Sequence, residues 1–222
     1  MQVCVRYVPA AEAARVGGDW YDAFPLRDGT PVIVIGDVTG HDTAAAAAMG
    51  QLRGLLRGVA HAGGGSPADV LRAFDEAVVA LHPDTLATAA LARIERDAGG
   101  RTRLRWASAG HPPPALVRGH GRIELLGGTN GELLLGVDPA TPRTDSTVTL
   151  APGDTVLLYT DGLVERRDAT IDVGLQRLVA ALDELAALPL QDLCDGLLRR
   201  MLPSTPSDDV AIVALRLADP GR

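Results

Sequence analysis

The sequence predicts an α+β fold in which two antiparallel sheets pack together and each carries a helix pair on its outer face. Three observations lead there. The segments follow one another as strands, two helices, strands, two helices and a final strand, an order that suits segregated helices on antiparallel sheets better than alternating βαβ units. The helical segments each show an apolar stripe, so each has one face to bury. Finally, 46% of the 222 residues are hydrophobic, enough for a full core. No linker-like or low-complexity stretch marks a boundary, so residues 1–222 read as a single catalytic-size domain, either a short protein or a piece excised from a larger one.

The elements follow in order. QVCVRYV (2–8), DWYDAF (19–24) and PVIVIGDV (31–38) are short β-like runs separated by Gly, Pro and Asp turn signals. From Thr43 to Ala60 the chain is alanine-rich, with Leu52, Leu55, Leu56 and Val59 at helical spacing. A second helix starts at Ser66-Pro67-Ala68-Asp69, which supplies an N-cap serine, a proline at the first helical position and an acid at the third. Its stripe of Val70, Leu71, Phe74, Ala77, Val78 and Leu81 places Arg72, Asp75 and Glu76 outside. Residues 85–160 return to strands (TLATAALARIE, TRLRWAS, PALVR, RIELL, STVTL, TVLLYT) and read as a meander-like region. Leu175, Leu178, Val179 and Leu182, then Leu190, Leu193, Leu197, Leu198 and Met201, predict a second helix pair, and VAIVALRL a last strand.

Composition removes several functions. A net charge of −7 argues against a nucleic-acid surface and suits metal cations better. All 21 cationic residues are arginine, which excludes Schiff-base chemistry and a lysine phosphate clamp. Cys4 and Cys194 are too few and too isolated for a disulfide framework or thiolate metal site. They read as core fillers in a reducing compartment. With no signal peptide and no apolar run of the roughly 18 residues a membrane span needs, the expectation is a cytoplasmic protein without a membrane partner.

Two segments share one design, a continuous apolar run followed by Asp and a Gly-containing turn: Val32 to Gly40 around Asp37, and Val156 to Gly162 around Asp161. A buried strand is a rigid arm that holds a carboxylate at the sheet mouth. Asp208 opens the last strand instead, and an antiparallel course would bring its start to the edge where the others end. Hard cations such as Mg²⁺ and Mn²⁺ take carboxylate, carbonyl and water oxygens, and two such ions can clamp a phosphoryl group during in-line attack. Taken singly, each Asp is ordinary turn chemistry. Together with Asp19 in a Gly-Gly-Asp turn, they point to a site.

At this point the residues carry a resemblance. VGGDWYDAF, VIGDVTGHDTAAAAAMGQLR, WASAGHPPP, LLYTDGLVERR and SDDVAIVAL resemble, in order and over about residues 8–217, the motifs of the SpoIIE branch of the PPM (type 2C) serine/threonine phosphatases. The resemblance implies a four-layer αββα sandwich, two Mn²⁺ or Mg²⁺ ions, and direct attack of water on phosphoserine or phosphothreonine. It implies that Asp37 bridges the metals with the Val38 carbonyl as a further ligand, that Asp161 and Asp208 complete the second site, and that Asp19 binds metal directly or through water. Asp209 is the alternative to Asp208, since adjacent strand residues face opposite ways. Asp22 reads as a surface or turn carboxylate. The partner implied is a phosphorylated anti-sigma-factor antagonist of the STAS kind in a partner-switching pathway, with a homodimer left open.

The chain also departs from the broader family. Thr39 stands where eukaryotic members place a histidine two residues after the bridging Asp, leaving His41 as a candidate general acid. Ala14 stands where those members carry a phosphate-binding arginine, with Arg15 offset by one. His61, His82, His111 and His120 read as structural. Three rivals remain: an aspartyl phosphotransferase, which lacks its lysine and its second acid; a cysteine phosphatase on Cys194 and Arg200, whose intervening leucines belong to a helical stripe; and a catalytically silent sensor or binding module of the same fold.

Overall fold

The computed structural model describes residues 1–10, 17–40, 42–127, 132–166, 169–203, 206 and 208–218. Two compact units form, one from Met1–Ala13, Pro112–Gly128 and Ala151–Arg222, the other from Ala14–His111 and Thr129–Leu150. Each is a five-stranded antiparallel sheet with two helices packed on it.

The second unit follows directly from its apolar runs. Strands β2 (Asp19–Pro25), β3 (Pro31–Val38), β4 (Ala87–Arg96), β5 (Thr102–Ala109) and β8 (Ser146–Leu150) pair in that order. Val32, Val34 and Val38 of β3, with Ala87, Ala89 and Leu91 of β4, share a core with helices α1 (Thr43–Gly63) and α2 (Pro67–Leu81). Ile33 and Ile35 are buried as well but point the other way. Burial on both faces is why VIVIGDV reads as one continuous hydrophobic run instead of alternating.

The helix starts match the sequence closely. The Asp42 side chain accepts the Ala45 N–H and caps α1. At α2, Ser66 and Asp69 close the reciprocal capping box, with Pro67 inside the first turn. Each cap is worth about 1 kcal/mol.

In the first unit the strand order is β1 (Gln2–Val8), β10 (Val210–Arg216), β9 (Thr155–Tyr159), β6 (Ala115–Val117), β7 (Ile123–Leu125). Cys4, Leu157, Tyr159, Val210, Ile212 and Ala214 pack against α3 (Ile171–Leu185) and α4 (Leu190–Met201). Cys194 lies inside α4 and is fully buried, so no phosphate loop spans Cys194 to Arg200.

Three readings are corrected. The strands between 85 and 160 are no meander: β4 and β5 belong to one sheet, β6 and β7 to the other, β8 to the first again and β9 to the second. Asp75 is not outside α2 but completely buried. Asp22 is neither a surface nor a turn residue; it is a buried residue of β2.

Asp75 is buried because a partner comes to it. Arg143, itself 1% exposed, donates to one carboxylate oxygen at 2.7 Å, and the Gly136 N–H donates to the other at 2.8 Å. The guanidinium also reaches the carbonyls of Leu133 and Leu134. Nearby, Asp145 accepts from the Ala68 N–H in the first turn of α2 and from Arg105 at 2.7 Å. The irregular stretch 132–145 is thereby strapped to α2 at both ends.

Candidate metal centre

Strand register sets the first pair of carboxylates. β2 and β3 run antiparallel with Asp19 directly opposite Asp37, so their side chains share one face of the sheet. That face is the one away from α1 and α2, because Trp20 and Val38, one residue on from each, belong to the helix-side core. Asp22, an odd number of residues from Asp19, must face the helices. There it lies 3.6 Å from Arg53 and 3.7 Å from Arg57 of α1, which accounts for its charge without a metal.

Gly18 shapes the space beside this pair. A Cβ at residue 18 would lie 2.1 Å from the Val38 carbonyl oxygen and 2.6 Å from Asp37 Oδ1. Only glycine lets these two oxygens converge on one point. The Gly18 carbonyl in turn accepts the Val38 N–H at 3.1 Å, and the Leu86 carbonyl accepts the Thr39 N–H at 2.9 Å. Beyond Asp37 in the ladder comes Thr88, whose Oγ1 is 2.8 Å from His111 Nδ1. His111 is buried.

Asp161 and Asp208 form the second pair. β9 and β10 are antiparallel, so the end of one lies beside the start of the other. Buried Thr160 fastens that end, its N–H donating to the Ala211 carbonyl at 3.1 Å and its Oγ1 accepting the Ala211 N–H at 2.8 Å. Asp161 then opens a short 3-10 turn, its carbonyl accepting from Val164 and Glu165. Gly162 is required, since a Cβ would meet the Asp209 carbonyl oxygen at 2.2 Å.

Burial pushes the Asp161 carboxyl up to about 6, and the neighbouring charges of Asp208 and Glu165 push the same way. Asp208 is exposed and accepts the Asp209 N–H at 2.8 Å. Asp209 is buried, with one oxygen taking the Tyr7 hydroxyl and the other the Ala10 N–H, both at 2.7 Å.

These donor sets fit a hard divalent cation. They consist of carboxylate and carbonyl oxygens, two of them converge where a side chain would otherwise stand, and one carboxyl is raised to about 6 by burial and like charge. Sequence reasoning named the acids and the turn at Gly162 but missed Gly18, Glu165 and Tyr7. The Gly-Gly-Asp and Asp-Gly pairs were the available signal for the glycines. His41, Ala14 and Arg15 lie outside the described residues.

Solved structures share this fold. The RsbU and RsbW domains of Rv1364c from Mycobacterium tuberculosis match with a TM-score of 0.81 at 31% identity, covering 98% of this chain and 61% of that one. The SiaA-PP2C domain of Pseudomonas aeruginosa matches at 0.78 and 23% identity, covering 97% of this chain and 85% of that one. The fold is that of PP2C-type, or PPM, phosphatase domains, a class of hydrolases. More narrowly, the family model described as stage II sporulation protein E (SpoIIE) matches residues 27–218, and the chain belongs to that family. Protein IcfG of Synechocystis sp. is 29% identical over an alignment of 200 positions that covers 77% of this chain; the chain spans about a third of that relative's length, 30%.

Proposed function

We propose that this chain is a metal-dependent phosphatase acting on phosphoserine or phosphothreonine of a regulatory protein, its two units serving as one catalytic domain. Asp19, Asp37, the Val38 carbonyl, Asp161 and Asp208 would hold two Mn²⁺ or Mg²⁺ ions, with Asp37 as the central acid. The observation that carries this reading is the pairing of acids at strand ends: Asp19 opposite Asp37 in register, and Asp161 within electrostatic reach of Asp208. Like charges kept together in partly buried places are costly unless a cation joins them. A related fold, RsbX, was solved in complex with magnesium, at 15% identity and a TM-score of 0.68.

Bound ions would lower the pKa of a water molecule and neutralise the phosphoryl oxygens. The chain's own residues hold the geometry. Asp19 and Asp37 are fixed by the ladder of β2 and β3, and the Val38 carbonyl by the bare face of Gly18. Asp161 is fixed by the fastening of Thr160 to Ala211. Between Asp208 and Asp209, the reading favours Asp208, because both Asp209 oxygens are engaged by Tyr7 and Ala10.

The regulatory partner is read as an anti-sigma-factor antagonist of the STAS kind, met in the cytoplasm. Hydrolysis of p-nitrophenyl phosphate and of a phosphoserine peptide, with and without Mn²⁺, tests the class for wild type, Asp37→Asn and Asp161→Asn. Metal-dependent turnover lost in both variants is expected. Equal rates in all three, or rates indifferent to metal, overturn the mechanism. Metal binding without turnover of either substrate would make the chain a silent binding module.

A further inference from the structure

Asp208 and Asp209 are neighbours with opposite surroundings. Asp208 is exposed and lies two residues before β10 begins, whereas Asp209 is 3% exposed. The ladder between β1 and β10 ends at the pair Val8 and Val210, so regular sheet hydrogen bonding stops short of both acids. Past that last pair, Tyr7 donates its hydroxyl to Asp209 Oδ2 and Ala10 donates its N–H to Oδ1, each at 2.7 Å. The donors come from a segment 202 and 199 residues away in sequence. A 2.7 Å O–H···O⁻ contact lies in the charge-assisted range. The Asp209 N–H, held in place by this grip, donates to Asp208 Oδ1 at 2.8 Å.

We infer that Tyr7 and Asp209 are positioning residues that extend order beyond the end of the sheet onto Asp208, so that the two adjacent acids divide into a ligand and its tether. The inference rests on the proposed role of Asp208 as a metal ligand. A clasp in mid-sheet would add stability alone. This one sits where the first residue outside the sheet has to be held. Hydrogen-bond partners that orient a metal ligand typically change affinity about 10- to 100-fold.

The test is Mn²⁺ affinity of the full chain, by titration calorimetry or electron paramagnetic resonance, alongside thermal unfolding. The variants are Asp208→Asn, Tyr7→Phe, Asp209→Asn and Arg118→Met. The last breaks the ion pair between Arg118 and buried Asp154, 3.0 Å apart in the same unit, and serves as a purely structural control. Tyr7→Phe and Asp209→Asn are expected to weaken Mn²⁺ binding about tenfold or more, while Arg118→Met lowers the melting temperature and leaves Mn²⁺ affinity unchanged. If Asp208→Asn weakens binding but the Tyr7 and Asp209 variants lose only thermal stability, as the control does, the clasp is overturned and the ligand stands. If Asp208→Asn binds Mn²⁺ like wild type, the ligand role falls and the clasp with it. Tyr7→Phe keeps the ring, so it decides the matter even if Asp209→Asn does not fold.

Discussion

Asp75 in α2 is fully buried and Asp161 after β9 only partly so, and their surroundings treat the charge in opposite ways. Asp75 meets a guanidinium and a backbone N–H, both within 2.8 Å. Asp161 meets two other acids, and its carboxyl is held up at about 6. The difference separates a carboxylate whose charge the fold neutralises from one whose charge the fold opposes. Beyond the degree of burial, the sign of the neighbours sets them apart.

The sharpest way to break this comparison is Asp161→Asn. It should reduce metal-dependent phosphatase activity by roughly 10³-fold or more, the scale of removing a key electrostatic group from an active site. The same substitution should stabilise the metal-free protein in urea denaturation, because it removes a charge the fold disfavours. A loss of both activity and stability would place Asp161 with Asp75 instead.

Arg143→Met is the mirror experiment. It leaves Asp75 buried without its cation and should cost about 3–5 kcal/mol in the same assay, with Mn²⁺ affinity per folded molecule unchanged. Retained stability would show that Gly136 suffices.

The pH dependence follows from the sign of the Asp161 shift. Below about pH 4 the carboxyl is protonated in the folded and unfolded chains alike. Between about 4 and 6 only the unfolded chain ionises, so metal-free stability falls as pH rises, by on the order of 2–3 kcal/mol. Above about 6 the whole penalty stands, and Mn²⁺ should offset it. Conversely, Mn²⁺ affinity should weaken as pH falls below about 6, and a flat profile between pH 5 and 7 would contradict the assignment.

Gly18→Ala sharpens the other half of the proposed centre. Its Cβ must displace the Val38 carbonyl or Asp37 Oδ1, and about a tenfold loss of Mn²⁺ affinity is expected, at the low end for disturbing a ligand's support. The smallest effect is Thr160→Val, which removes the Oγ1 acceptor of the Ala211 N–H at the end of β9 and should cost about 1–2 kcal/mol by thermal unfolding. A much larger loss would mean that Thr160 holds more than the β9 end.

What the sequence made legible was local. Helix starts near Thr43 and at Ser66 and strand runs such as VIVIGDV depend on neighbouring residues, whereas Asp22 was misread as a surface or turn acid because its partners Arg53 and Arg57 lie on α1. Asp75 was misplaced because a helical wheel reports polarity, and the reason for burying it, Arg143, lies 68 residues away. The crossing of the chain between sheets after β5 and again around β8 was hidden for the same reason: Gly and Pro mark where a strand ends, not which sheet receives the next one. The engagement of Asp209 was hidden in the same way, since the Tyr7 hydroxyl that meets it comes from the far end of the chain.

The pairing of β1 with β10 also bears on how the molecule comes into being. Gln2 faces Arg216 in that ladder, so β1 waits without its neighbour until nearly all of these residues have been synthesised. The sheet of β2, β3, β4, β5 and β8 has every strand in hand by Leu150 and can close earlier, since contacts distant in sequence form late. The grip of Tyr7 on Asp209 then forms among the last contacts of all. A chain shortened before residue 208 would therefore carry Asp19 and Asp37 on a finished sheet while lacking Asp208 and the strand that pairs with both β1 and β9.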